Sequence, residues 1–134
     1  MGFDVSQYEL EDTSVLTVQN LQRDDDLLVD GKPVLITIYG PGSAQGVKAL
    51  HRAGRAAQAR LQLLIRGKAE KNAAEAADAE RVDKLIGITA NIENFPIEGG
   101  AAALYANPKL GDMADQVEAH FADKSNFSKA SPKP

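Results

Sequence analysis

The stretch LITIYGPGSAQG, residues 35–46, runs from an apolar segment through glycines into a helix-forming region. Loops of this kind cradle phosphates or present a nucleophilic serine. A Walker-type loop requires a second glycine at position 45 followed by Lys-Ser or Lys-Thr, but Gln45 stands there and no such pair follows. Gly40, Gly42 and Gly46 are spaced one residue too widely for a dinucleotide fingerprint, and no βαβ pattern surrounds them. Ser43 lacks the flanking glycines of a nucleophile elbow, since Pro41 and Gln45 occupy those positions. The structural reading fits better: Pro41-Gly42 turns the chain, and Ser43 caps a helix by accepting a bond from the N–H of Gln45 or Gly46.

The other chemistry-bearing residues are no better arranged. Asp24, Asp25 and Asp26 lack the alternating acids, central glycine and distant glutamate of a calcium loop, and read as a solvated turn. His51 and His120 are far apart, without cysteine or an H-x-x-x-H pattern, so no metal site is expected. No two of the 19 acids form an evident acid/base couple. Lys48, Arg52, Arg55 and Arg66 fall near one face of a helix and could meet phosphates, yet no aromatic accompanies them to stack bases. A solvated face, or one paired with the acidic N-terminal block, is favoured over a nucleic-acid surface. Neither a catalytic residue nor a cofactor is expected.

The elements behind these residues follow from periodicity. SVLTV (14–18) is β-branched and apolar. LLVDGKPVLITIYG contains Asp30-Gly31 between two apolar runs, a hairpin signal because both residues tolerate positive φ. Pro33, lacking an N–H, belongs at a strand start or edge. From Ala44 to Ile65 there is no proline, and Val47, Leu50, Gly54, Ala57, Leu61 and Leu64 recur at alternating three- and four-residue steps, one face of a helix. Val47, Leu50, Ala57, Leu61 and Leu64 are therefore the candidate protein-binding residues, packing either in the core or against a partner. Gly54 and Ala57 make the middle of that face small, and the helix is expected to end near Gly67. A second helix is expected from about residue 69, continuing to about Asn91, although Ile88, Ala90 and Ile92 also alternate as in a strand. PIEGG (96–100) reads as a turn, AAALYA as a short helix, Asn107-Pro108 as a break, and Gly111 to Asp123 as a last helix burying Met113, Val117 and Phe121.

The chain of 134 residues therefore reads as one α+β domain over residues 1–127. Short antiparallel strands occupy 14–39, three to four helices follow over 44–124, and residues 128–134 form a polar, proline-containing tail expected to be disordered. No cysteine is present, which removes disulfides and thiolate metal sites and fits a reducing compartment. The acidic start does not resemble a secretory signal, and no apolar run approaches a membrane span, so a soluble protein is expected. The net charge of −4 is unevenly spread. Residues 1–30 hold eight acids and Arg23, residues 31–70 seven bases and Glu70, and the remainder is weakly acidic. Such blocks pair within a fold or between subunits, which leaves homo-oligomerisation open.

Several stretches in their order are similar to the tail assembly chaperones of long-tailed bacteriophages. They are DGKPVLITIYGPGS leading into a basic helix, NFPIEGG, and ALYANPKLGDMADQVEAHFADKSNF followed by a short polar tail. The resemblance covers most of residues 14–127. It implies a non-catalytic protein of the host cytoplasm, absent from the mature virion, that binds the tape measure protein and helps recruit tail tube subunits. Genes of that family often yield a longer product by a −1 frameshift, which Ser131, Pro132 and Lys133 permit at codon level. The alternatives are a structural head–tail joining or tail-terminating subunit, and a nucleic-acid-binding regulator using the basic helix 44–66.

Overall fold

A computed structural model describes residues 3–67 and 73–128. The protein is mixed α and β, with four α-helices and a small antiparallel sheet among those residues. The central sheet has the order β1-β4-β5, built from β1 (Thr13–Thr17), β4 (Leu35–Tyr39) and β5 (Thr89–Glu93). The pairing of β1 with β4 sets Val15 opposite Thr37, and that of β4 with β5 sets Ile36 opposite Ile92, with an irregularity at Thr37/Ile38. Alternation along β4 points Ile36 and Ile38 into the core, beside Val18 and Val34.

The Asp30-Gly31 hairpin forms, with φ of 53° and 78° at its two central residues. It joins only the two-residue strands β2 (Leu28–Val29) and β3 (Lys32–Pro33), which make a separate minor sheet. Pro33 closes that short ladder, where its missing N–H costs nothing, and its carbonyl accepts from Asn94 Nδ2 at 2.7 Å.

Helix α1 (Ala44–Ile65) has the expected bounds, and the chain leaves it through Gly67 at φ 74°. Helix α2 (Ala73–Ile88) is shorter than its sequence suggests. The expected continuation to Asn91 is corrected: Thr89 starts β5, because the open edge of β4 offers a hydrogen-bond ladder, and the irregularity at Thr37/Ile38 turns Thr89 and Ile92 inward while Ala90 stays exposed and Ile88 remains in the helix. Thr89 Oγ1 marks the switch, donating to Leu85 O at 2.8 Å and sharing a 2.6 Å bond with Tyr105 Oη. Helix α3 (Gly100–Ala106), a 3-10 turn at Pro108–Leu110 and helix α4 (Gly111–Ala122) follow. Met113, Val117 and Phe121 are buried as their spacing requires. The core joins them to Ile36, Ile38, Leu85, Ile88, Leu104, Tyr105 and Phe127, so helices cover one face of the sheet. The expected tail lies, apart from Ser128, outside the described residues.

The body and α1 meet at a glycine joint. Gly40 O accepts from Ser43 N at 3.1 Å and from Ser43 Oγ at 2.7 Å, while Ser43 Oγ accepts from Gly46 N at 3.0 Å. A methyl on Gly46 would collide with Gly40 O, and one on Gly40 would lie 2.8 Å from Glu11 O and 2.9 Å from Phe127 Cδ1. Gly54 has open space around it. Gly46→Ala is accordingly expected to destabilise the protein by about 1–3 kcal/mol through overpacking. Gly54→Ala should instead stabilise it by about 0.5–1 kcal/mol through helix propensity. Urea midpoints of the two variants check the pair, and a Gly46→Ala midpoint equal to the wild type would show that the joint is not tight.

Candidate functional site

Helix α1 packs along one side only. Of its 22 residues, the buried ones are Gly46 and Ala49, both near its start. Its neighbour is α2, which runs antiparallel to it. Ala49 meets Gly87, where a methyl would lie 3.2 Å from Ala49 Cβ. Arg52 Nε pairs with Asp83 Oδ2 at 3.1 Å, and Arg60 Nη2 with Glu80 Oε1 at 2.8 Å. Ala53, Ala56 and Leu63 are half-buried on this side. Small residues, ion pairs and Leu63 therefore hold α1 to α2, and the other large apolar residues of α1 turn elsewhere.

The candidate protein-binding residues lie on that other side. Val47 and Leu50 are each 38% exposed, Leu61 54% and Leu64 62%, and Ala57 is exposed beside them. Of the two roles open to this face in the sequence, core and partner surface, the first is corrected: none of the five residues is in the core. The spacing was sound as helical periodicity, but Ala49 shows that the body-facing stripe is offset from it. Ile65, 75% exposed, extends the apolar surface at the helix end; it lies four residues after Leu61, where the alternating steps take Leu64 instead.

The candidate charged face divides. Lys48, Arg55 and Arg66 are exposed, whereas Arg52 is half-buried and engaged with Asp83. Of the two readings of the basic face, solvated or paired with the acidic N-terminal block, the first describes Lys48, Arg55 and Arg66, and the acids that Arg52 and Arg60 meet are on α2. Glu80 and Asp83 stand three residues apart on one helix face, a signal readable in the sequence. Exposed pairs of this kind contribute little stability and serve mainly to set how α1 lies on α2.

The glycine loop is not built to take a phosphate. At the start of α1, Glu9, Leu10, Glu11, Asp12 and Gly42 line an open cleft of 490 Å³, so acidic residues stand beside the end of the helix where an anion would bind. The Gly46 N–H there is already used by Ser43. Asp24, Asp25 and Asp26 are exposed, with Asp24 accepting from Asn20 Nδ2 at 2.8 Å. His51 is exposed, and His120 is half-buried with its Nε2 2.9 Å from Ser14 Oγ. That Ser–His bond ties α4 to β1. A mid-strand serine lacks the helix-end N–H groups that would stabilise a developing oxyanion, so the pair is read as a structural tie.

A polar cluster missed in the sequence fastens the other end of β1 to α4. Gln116, nearly buried, acts as a substitute strand: its Oε1 accepts from Gln19 N at 2.8 Å and its Nε2 donates to Gln19 O at 2.9 Å. Beside it Arg23, at φ 62°, reaches Asp112 through two bonds of 2.9 and 2.8 Å. The bonds from Arg23, with a smaller contribution from Gln116, hold the Asp112 carboxyl below its ordinary range. Arg81 Nη2 similarly reaches Asp115 at 2.8 Å and Glu118 at 3.0 Å.

No family model, no curated protein and no solved structure matches this chain. Among the described residues, no group of acids and histidines could hold a metal ion, and no helix is long and apolar enough to cross a membrane.

Because Asp112 titrates lower in the folded chain than in the unfolded one, its contribution is present above the unfolded value, about pH 3.9, and is lost as the pH falls through the folded value. The stability difference between wild type and Asp112→Asn should therefore be constant from about pH 5 to 8 and shrink below about pH 4. Urea midpoints across that range check it, and a difference that grows on acidification would contradict the assignment.

Proposed function

We propose that the protein is a non-catalytic tail assembly chaperone of a long-tailed bacteriophage, binding the tape measure protein in the host cytoplasm and helping to recruit tail tube subunits. The observation that carries this reading is the outward face of α1, with Val47, Leu50, Ala57, Leu61 and Leu64 uncovered along a helix of 22 residues. A tape measure protein, long and helical by the same resemblance, exposes apolar seams until the tail is built around it. A helix face of matching periodicity on a folded body can cover such a seam and release it. The small middle at Gly54 and Ala57 lets a second helix approach closely. The basic residues Lys48, Arg55 and Arg66 raise the rate of encounter with an acidic surface without filling the seam.

Co-expression tests the reading. The cognate tape measure protein should move from the insoluble to the soluble fraction when the wild-type chain is present, and remain insoluble with the double variant Leu61→Asp/Leu64→Asp. Both side chains are more than half exposed, so that variant should keep the wild-type far-UV circular dichroism. A wild-type chain that leaves the tape measure protein insoluble rejects the chaperone reading. Recovery of the chain in stoichiometric amounts from purified particles would favour the structural-subunit alternative instead.

A further inference from the structure

We infer that the outward seam of α1 is also a self-association surface, on which a second copy of the chain docks its own α1 antiparallel. This is independent of the chaperone reading. Residues 47, 50, 54, 57, 61 and 64 have the a/d spacing of a coiled-coil seam, narrower than the stripe of a core-facing helix. Read in either direction the steps are the same, and so is the order of sizes: Val47 and Leu50, then Gly54 and Ala57, then Leu61 and Leu64. Two such helices laid antiparallel about their middle bring Val47 level with Leu64 of the second copy, Leu50 with Leu61, and Gly54 with Ala57. Every contact is then repeated by the two-fold axis, as a closed dimer requires.

The charges favour this occupant and this direction. Residues flanking a seam select its partner, and here they are nearly neutral: Ala53 and Arg60 on one side, His51 and Gln58 on the other. The one full charge, Arg60, is already paired with Glu80. A strongly acidic helix would find few complements along the seam, whereas a second α1 meets no like-charge clash there. At the ends, the antiparallel arrangement carries the Arg66 end of one helix to the end of the other where Glu9, Glu11 and Asp12 line the cleft beside Gly42. A parallel pair would set acids beside acids and Arg66 beside Arg66. A single pair of 22-residue helices lies at the low end of interface size, below about 1,200 Å² in total. The dimer is therefore concentration-dependent.

The absence of cysteine permits a direct test on the purified chain. Level with Leu61 of the second copy, Leu50 lies about 16 Å along the axis from its own counterpart, far beyond the span of a disulfide of about 7 Å. Under mild oxidation Leu50→Cys/Leu61→Cys should form a covalent dimer of twice 14.3 kDa, while either single variant stays monomeric. Sedimentation of the wild type should show a monomer–dimer equilibrium that Leu61→Asp abolishes with unchanged circular dichroism. Dimers from the single variants would overturn the antiparallel arrangement. A wild type that stays monomeric at millimolar concentration, with no bridging in the double variant, would overturn self-association altogether. If Leu61→Asp then still blocked tape measure binding, the seam would belong to that partner alone and the chaperone reading would stand without the dimer.

Discussion

The direction in which α1 leaves the body depends on the contact of Gly46 with the carbonyl of Gly40. That carbonyl accepts two bonds from Ser43, whose hydroxyl in turn takes the Gly46 N–H. The triangle closes only because Gly46 has no side chain. Gly40 is fixed from behind as well, its N–H donating to Asp12 O at 2.8 Å while Phe127 covers its Cα. Strand β1, the C-terminal 3-10 turn at Lys124–Phe127 and the start of α1 thus converge on one point. A rigid start matters for a helix that touches the rest of the protein chiefly through α2, because an error in its exit angle grows along its length of about 33 Å.

The second constraint lies between α1 and α2. An amphipathic helix ordinarily turns its large apolar residues toward its own body, where burial of each contributes about 1.5–3 kcal/mol. Here the side toward α2 carries glycine, alanine, arginine and one leucine, Leu63, and close approach of the backbones largely replaces large side chains. The contact of Ala49 with Gly87 sets that distance, and a larger residue at either position would push the helices apart. Leucines 50, 61 and 64 are left on the outside as a consequence, and their exposure follows from how the hairpin closes.

This inversion explains where sequence reasoning succeeded and failed. The bounds of α1, the Ser43 cap, the Asp30-Gly31 turn and the buried side of α4 were legible because each rests on local chemistry or on a period with a single solution. The direction of the α1 face was not legible. A stripe at three- and four-residue steps is compatible with core or partner, and choosing between them needs the knowledge that Gly87 of another helix occupies the Ala49 side. Thr89–Glu93 failed for a related reason: the vacant edge of β4 that made strand pairing favourable, and the irregularity that turns Thr89 and Ile92 inward out of simple alternation, are properties of the assembled sheet. Gln116 and Arg23 were hidden because a side chain that imitates a strand leaves no period in the sequence.

An exposed apolar face normally favours uncontrolled aggregation, and the composition of α1 limits this. The seam is narrow, its middle is small, and Lys48, Arg55 and Arg66 keep hydrated charge on another face of the same helix. A face of this kind associates with a helix of matching period more readily than with an arbitrary apolar surface, since only the matched helix fills the small middle. Leucine in place of Gly54 and Ala57 would enlarge the apolar area while removing the close approach, trading selectivity for general stickiness. The same small residues keep any single pairing weak. A surface on which one helix replaces another must hold each occupant weakly enough to release it, and a seam of a few large residues around a glycine and an alanine meets that requirement.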